Sequence, residues 1–377
     1  MKIWDLKCTE KANFIRASAR VTWESCNRPE QEIFIETEKM FSSDIIANPH
    51  AFLVGCIIPA LYFGEKRIQV DAAVCPGLKE GLNVVMALMK TWTKNRFLPL
   101  VIEAETQTAV QYTNKKRQAC LFLSGGMDSL AALRLNRLTY PESHPGYIRD
   151  CFLVHGFDIG GVVERGPKYH VFERAKRAMA LVAEDADVNL IPVYTNIRHL
   201  CDDRVLWLNQ FFGAVLAAVA HAFAPRIHLA FIASSYDIPN LVPCGSHPML
   251  DPEYSSFDLK IRHRDVGLSR VEKLKIVAGW ETAFQNFRVC LANVPDRLNC
   301  GRCEKCVRTM LELLSMGVLH KTRAFAENDV TPDLLDAFSI TIRHREPFYE
   351  ELIQPLKAQG CVEIAAAIEK KLRAKAK

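Results

Sequence analysis

An α/β protein built around a doubly wound parallel sheet is what this sequence predicts, and three observations carry the prediction. From residue 119 onward, apolar β-like runs alternate with helix-period segments, the pattern of a parallel sheet covered on both faces. The apolar run at 119–123 passes directly into Ser124-Gly125-Gly126-Met127-Asp128-Ser129 and then into a helix. A late cysteine cluster, Cys290 with Cys300, Cys303 and Cys306, follows the last strand signal and leads into a helical C-terminal stretch.

Residues 1–114 read as an N-terminal α+β accessory domain. Period-two runs at 13–23 and 31–37 mark half-buried strands, 66–71 and 98–104 extend the same sheet, and helices fit at 51–62 and 81–94. No catalytic constellation appears there, so this part is read as shaping a substrate mouth or an oligomer interface, and a homo-oligomer is expected. Polar residues from Thr113 to Gln118 mark the boundary. The second domain, 115–285, carries strands at 119–123, 151–155, 189–194 and 227–232, with helices at 128–138, 169–184 and 205–223. Open sheets of this Rossmann-like kind gather ligands at the carboxyl ends of their strands. That singles out 124–129, 155–158, 195–198 and 233–237. Residues 286–377 form the third part, a helical metal-binding region.

The turn at 124–129 has the chemistry of a phosphate cradle. Gly125 and Gly126 lack Cβ atoms, so the chain can bend tightly and aim successive backbone N–H groups at an oxyanion. The helix that opens at Asp128 and Ser129 points free amides and a positive dipole end at the same place. Ser124 and Ser129 add hydroxyl donors, and Asp128 suits a hard Mg²⁺ accompanying the phosphates. No Lys follows, which excludes the Gly-x4-Gly-Lys-Ser/Thr loop. The turn resembles that of the PP-loop ATP pyrophosphatases, enzymes with an adenine nucleotide α-hydrolase-like fold. The resemblance implies ATP binding by Ser124, Gly125, Gly126, Met127, Asp128 and Ser129, with Asp128 and Ser129 catalytic. It also implies that His155 and Gly156 lie against adenine and ribose.

Cys290, Cys300, Cys303 and Cys306 have the spacing C-x9-C-x2-C-x2-C. Four thiolates so placed can wrap a tetrahedral Zn²⁺, and with four ligands satisfied the ion is structural. Buried thiols, a redox pair and an iron–sulfur cluster are the alternatives. Joined to the phosphate turn, this cluster makes the chain similar to the QueC family, the 7-cyano-7-deazaguanine (preQ0) synthases. The likeness covers roughly 115–317. It implies an ATP-dependent ligase that adenylates a carboxylate such as that of a 7-carboxy-7-deazapurine, releases pyrophosphate, and joins ammonia or an amine as amide or nitrile. Residues 1–114 and the loop after the fourth strand depart from that family. The loop's Cys244, His247 and Asp251, set among turn formers, are read as the acyl-substrate residues. Arg262, His263, Arg264, Arg270 and Lys273 offer cations for the leaving pyrophosphate. Two other readings remain: a tRNA-modifying PP-loop enzyme of thiolation or lysidine type, and a QueC-like nucleotide-binding component that modifies a protein partner.

Bulk properties fit a cytoplasmic enzyme. With 377 residues, 49% of them apolar, the chain can bury large cores. A net charge of +5 is too slight to indicate nucleic acid. Thirteen cysteines, four in one cluster, point to a reducing compartment. Charges near Met1 are unlike a signal peptide, and the apolar stretch at 51–63 is too short to span a bilayer.

Overall fold

The computed structural model describes residues 1–109, 111–112, 116–327, 329–338 and 346–375. The expected boundary segment thus falls partly outside the described residues, at 113–115. Ten strands form one sheet among them: β1 (Lys2–Lys11), β2 (Phe14–Thr22), β3 (Gln31–Glu38), β4 (Arg67–Val74), β5 (Val101–Thr106), β6 (Gln118–Phe122), β7 (Ile148–His155), β8 (Asn189–Thr195), β9 (Ile227–Ala233) and β10 (Lys260–Arg264). Their order is β10-β9-β6-β7-β8-β3-β2-β1-β4-β5. The sheet is mostly parallel, antiparallel only at β1–β2, β2–β3 and β3–β8. The α/β class expected from the sequence is present, and the arrangement is compatible with a Rossmann-like fold.

Alternation along β6 shows why its sequence is a continuous apolar run. Cys120 and Phe122 face one core while Ala119 and Leu121 face another, so both sides of the strand are covered. Helices α1 (Pro49–Tyr62), α2 (Pro76–Trp92) and α5 (Arg204–Ala222) fill the first side. Helices α3 (Met127–Thr139), α4 (Tyr169–Asp185), α6 (Arg270–Ala278), α7 (Glu281–Asn286) and α8 (Glu304–Ser315) fill the second. Asn48 caps α1 by accepting from the His50 amide, and Pro49 stands in the first turn, where its missing N–H costs nothing.

The front segment does not stand apart from this sheet. β3 runs antiparallel against β8, with Ile35, Glu36 and Thr37 opposite Thr195, Tyr194 and Val193. Thr37 donates to the Pro192 carbonyl at 2.7 Å, and the Phe34 amide donates to Asn196 at 2.8 Å, so side chains lock the seam. Helix α5 is the one described helix long and apolar enough to cross a membrane, but 72% of its apolar window is buried inside the protein. It is a core helix.

Within the central strands, β7 and β8 lie to one side of β6, and β9 and β10 to the other. The direction of strand order therefore reverses beside β6. A crevice opens at such a point, above the carboxyl ends of the strands.

Candidate active site

A cavity of about 820 Å³ lies at that crevice. Ser124, Gly126, Met127, Asp128 and Ser129 line it. Gly125 forms the bend behind them with φ of +80°, a left-handed conformation that glycine adopts freely. Ser129 donates to the Gly126 carbonyl at 3.0 Å and lies 3.3 Å from the Ser124 hydroxyl. Helix α3 starts at Met127, one residue earlier than expected, so the free amides of its first turn belong to the motif itself.

Asp128 has a buried neighbour. The Lys273 ammonium lies 3.8 Å from its Oδ1 and donates to the Ser234 carbonyl at 2.6 Å. Lys273 is buried, so it is no surface helix charge. Arg270 lines the cavity and is held by Glu312 at 2.7 Å and Thr309 at 3.0 Å. Glu312 is itself fully buried, and the attraction fixes the guanidinium at one edge of the phosphate turn.

Loops after the other strands complete the walls. Phe157 and Asp158 follow β7, Arg198 follows β8, Ala233 ends β9, and Ser235 and Tyr236 follow it; all line the cavity. His155 does not. Its Nε2 donates to the Pro167 carbonyl at 2.5 Å, and its ring stacks on Tyr169 at 4.9 Å, so burial holds its pKa below the ordinary value. Gly156 has φ of +107°, and a Cβ there would meet the Thr195 carbonyl oxygen at 2.0 Å. That turn is what delivers Phe157 and Asp158 to the cavity. A five-residue π-turn in α5, Trp207–Phe211, lies where Trp207, Leu208 and Phe212 form an apolar part of the cavity wall.

Cys244, His247 and Asp251 do not line the cavity. Cys244 is buried and packs behind Tyr236 and Phe348, two residues that do. Asp251 is buried, accepts from Ser246 at 2.6 Å and pairs with His263 Nδ1 at 2.7 Å. His247 lies edge-on to Trp92 at 5.1 Å. Gly245 donates to the Leu208 carbonyl at 3.1 Å and accepts from Gly213 at 2.8 Å. This loop is a brace for the π-turn. Arg262 and Arg264 lie on β10, where Arg264 stacks over Phe231.

The four sulfurs of Cys290, Cys300, Cys303 and Cys306 lie within 4.8 Å of one another, with Cys300 to Cys306 at 3.9 Å and Cys290 to Cys303 at 4.0 Å. Ligands at tetrahedral Zn–S distance stand about 3.8 Å apart. The cluster can therefore hold a metal ion such as zinc. Gly301, at φ of +72°, turns the loop, and the amides of Arg302 and Cys303 donate to the Cys300 sulfur. Asn299 is buried; its Oδ1 accepts from the Val289 amide at 2.8 Å and the Cys290 amide at 3.3 Å, orienting the first ligand.

Sequence reasoning missed the flanks of this cluster. Arg288, Val289 and Leu291 around Cys290, and Lys305 and Arg308 around Cys306, all line the cavity, as does Phe348 farther along. The signal was present as basic residues beside metal ligands. No family model, curated protein or solved structure matches the chain.

Proposed function

We propose that this chain is an ATP-dependent, AMP-forming carbon–nitrogen ligase of the QueC-like type, acting in the cytoplasm with an adenine nucleotide α-hydrolase-like site. One observation carries the reading: the Ser124–Ser129 turn opens onto the same cavity as Arg270, Arg288, Lys305 and Arg308. Fixed amides and cations around one concave space suit a triphosphate whose leaving group gains charge during reaction. Phe157, Trp207 and Phe212, which line the same cavity, suit a flat aromatic group.

In this reading a substrate carboxylate oxygen attacks the α-phosphorus in line, and the bond to the β-phosphate oxygen breaks. Pyrophosphate leaves along the turn, where the amides and Ser129 receive its charge. Mg²⁺, held by Asp128, supplies further neutralisation when bound. Ammonia or an amine then displaces AMP from the acyl adenylate and loses a proton, leaving an amide; a second round of activation yields a nitrile. The four-cysteine metal is structural, because no ligand position is left open. Incubation with ATP, Mg²⁺, ammonia and candidate aromatic carboxylates, read by mass spectrometry for AMP and the acyl product, tests the proposal. An absence of AMP with every acid, together with no calorimetric uptake of Mg-ATP, overturns it.

A further inference from the structure

Arg288 lies where two structures meet. Its amide donates to the Gly125 carbonyl at 2.8 Å, tying it to the bend of the phosphate turn. Two residues later comes Cys290, and Asn299 pins the amides of Val289 and Cys290 between them. The side chain is more than nine-tenths buried and lines the cavity. One guanidinium nitrogen donates to Asn293 Oδ1 at 2.5 Å, and Asn293 in turn donates to the Asp158 carbonyl at 2.7 Å. That carboxamide is the one hydrogen-bond acceptor recorded for the guanidinium among the described residues. Its other N–H donors keep the capacity for an anion. A buried arginine held from behind, with donors left over toward a concave space, is preorganised for phosphate oxygens.

We infer that Arg288 is a polyphosphate-binding residue which the four-cysteine knuckle positions against the phosphate turn. The inference rests on the ATP reading and adds a residue and a coupling to it. The metal-bearing loop holds Arg288 through Asn299, so the knuckle sets the anion site as well as local stability. Lys305 and Arg308, on the other flank of the cluster, line the same cavity.

Calorimetric titration with Mg-pyrophosphate, Mg-ATP and AMP, using the full-length metal-loaded protein, tests this. Arg288→Gln should weaken pyrophosphate and ATP binding on the order of tenfold to a hundredfold, the range of a lost charge-assisted hydrogen bond, while AMP affinity stays at the wild-type value. Arg288→Lys should recover part of the loss, and Arg177→Gln, an exposed change on α4, should have no effect. Asn299→Ala, with its metal content verified by elemental analysis, should weaken pyrophosphate binding but leave AMP binding intact. Equal pyrophosphate affinity in wild type and Arg288→Gln overturns the assignment, as does a parallel loss of AMP binding, which marks a merely structural role. Unchanged pyrophosphate affinity in Asn299→Ala overturns the coupling. If wild type takes up neither ATP nor pyrophosphate, the ATP reading falls too; uptake of ATP with an indifferent Arg288→Gln leaves that reading standing and removes only this inference.

Discussion

Acid should weaken this protein through a buried pair of imidazoles, His50 on α1 and His221 on α5, whose rings meet edge to face at 5.5 Å. His221 Nε2 donates to the Tyr254 carbonyl at 2.7 Å, and His50 Nε2 accepts from the Cys75 amide at 3.0 Å. The accepting nitrogen commits His50 to a neutral form, and full burial disfavours the charged form of His221. Burial lowers His221 from its ordinary 6.5 to about 3, and His50 to about 4. A folded-state pKa depressed below the unfolded one gives stability that is complete above 6.5 and lost as pH falls toward the folded value. Between pH 6.5 and 5, His221 alone should forfeit about 2 kcal/mol, at roughly 1.4 kcal/mol per pH unit. Glu351 works the other way, because partial desolvation and the nearby carboxylates of Glu312 and Asp237 raise it to about 7, and protonation then favours the folded state as pH falls. The difference between variants isolates the histidine. In urea unfolding, the stability gap between wild type and His221→Gln should shrink by about 2 kcal/mol on going from pH 6.5 to 5. A gap that is identical at the two pH values refutes the reasoning.

Other expectations follow from the site. Asp128→Ala should abolish AMP formation while leaving the thermal midpoint near that of wild type; retained AMP production overturns the role given to Asp128. Cys303→Ser should release the bound metal, seen by elemental analysis, and lower the melting temperature by several degrees. Gly156→Ala should cost more than about 2 kcal/mol in chemical denaturation, because its Cβ would meet the Thr195 carbonyl at 2.0 Å. A stable alanine variant would show that the β7 turn is less constrained than its geometry indicates.

Strands β6 to β9 were legible in the sequence to within a few residues, because both faces of each are covered and the apolar runs are nearly continuous. Strand β10 was not. Its Lys260, Arg262 and Arg264 alternate with only one apolar residue, so its pairing to β9 comes from the backbone and from Ile261 entering the core. Strand β1 escaped notice for a similar reason, since most of its side chains are charged or half exposed. The phosphate turn and the cysteine cluster declared themselves through spacing, which local geometry fixes. Arg288, Lys305 and Arg308 did not, because ligand spacing says nothing about where the intervening side chains go, and Arg288 is brought to the cavity by a tertiary contact at Gly125. The loop of Cys244, His247 and Asp251 misled for the opposite reason. Its polar groups satisfy one another in the interior, where sequence alone cannot tell a bonded network from an open one.

The antiparallel seam between β3 and β8 has a consequence for dissecting the molecule. A truncated chain lacking its first 114 residues would leave β8 with an unsatisfied hydrogen-bonding margin and strip α1 from the flank of α5. Such a fragment would tend to recruit foreign strands and precipitate. The two halves should melt together, as one cooperative unit.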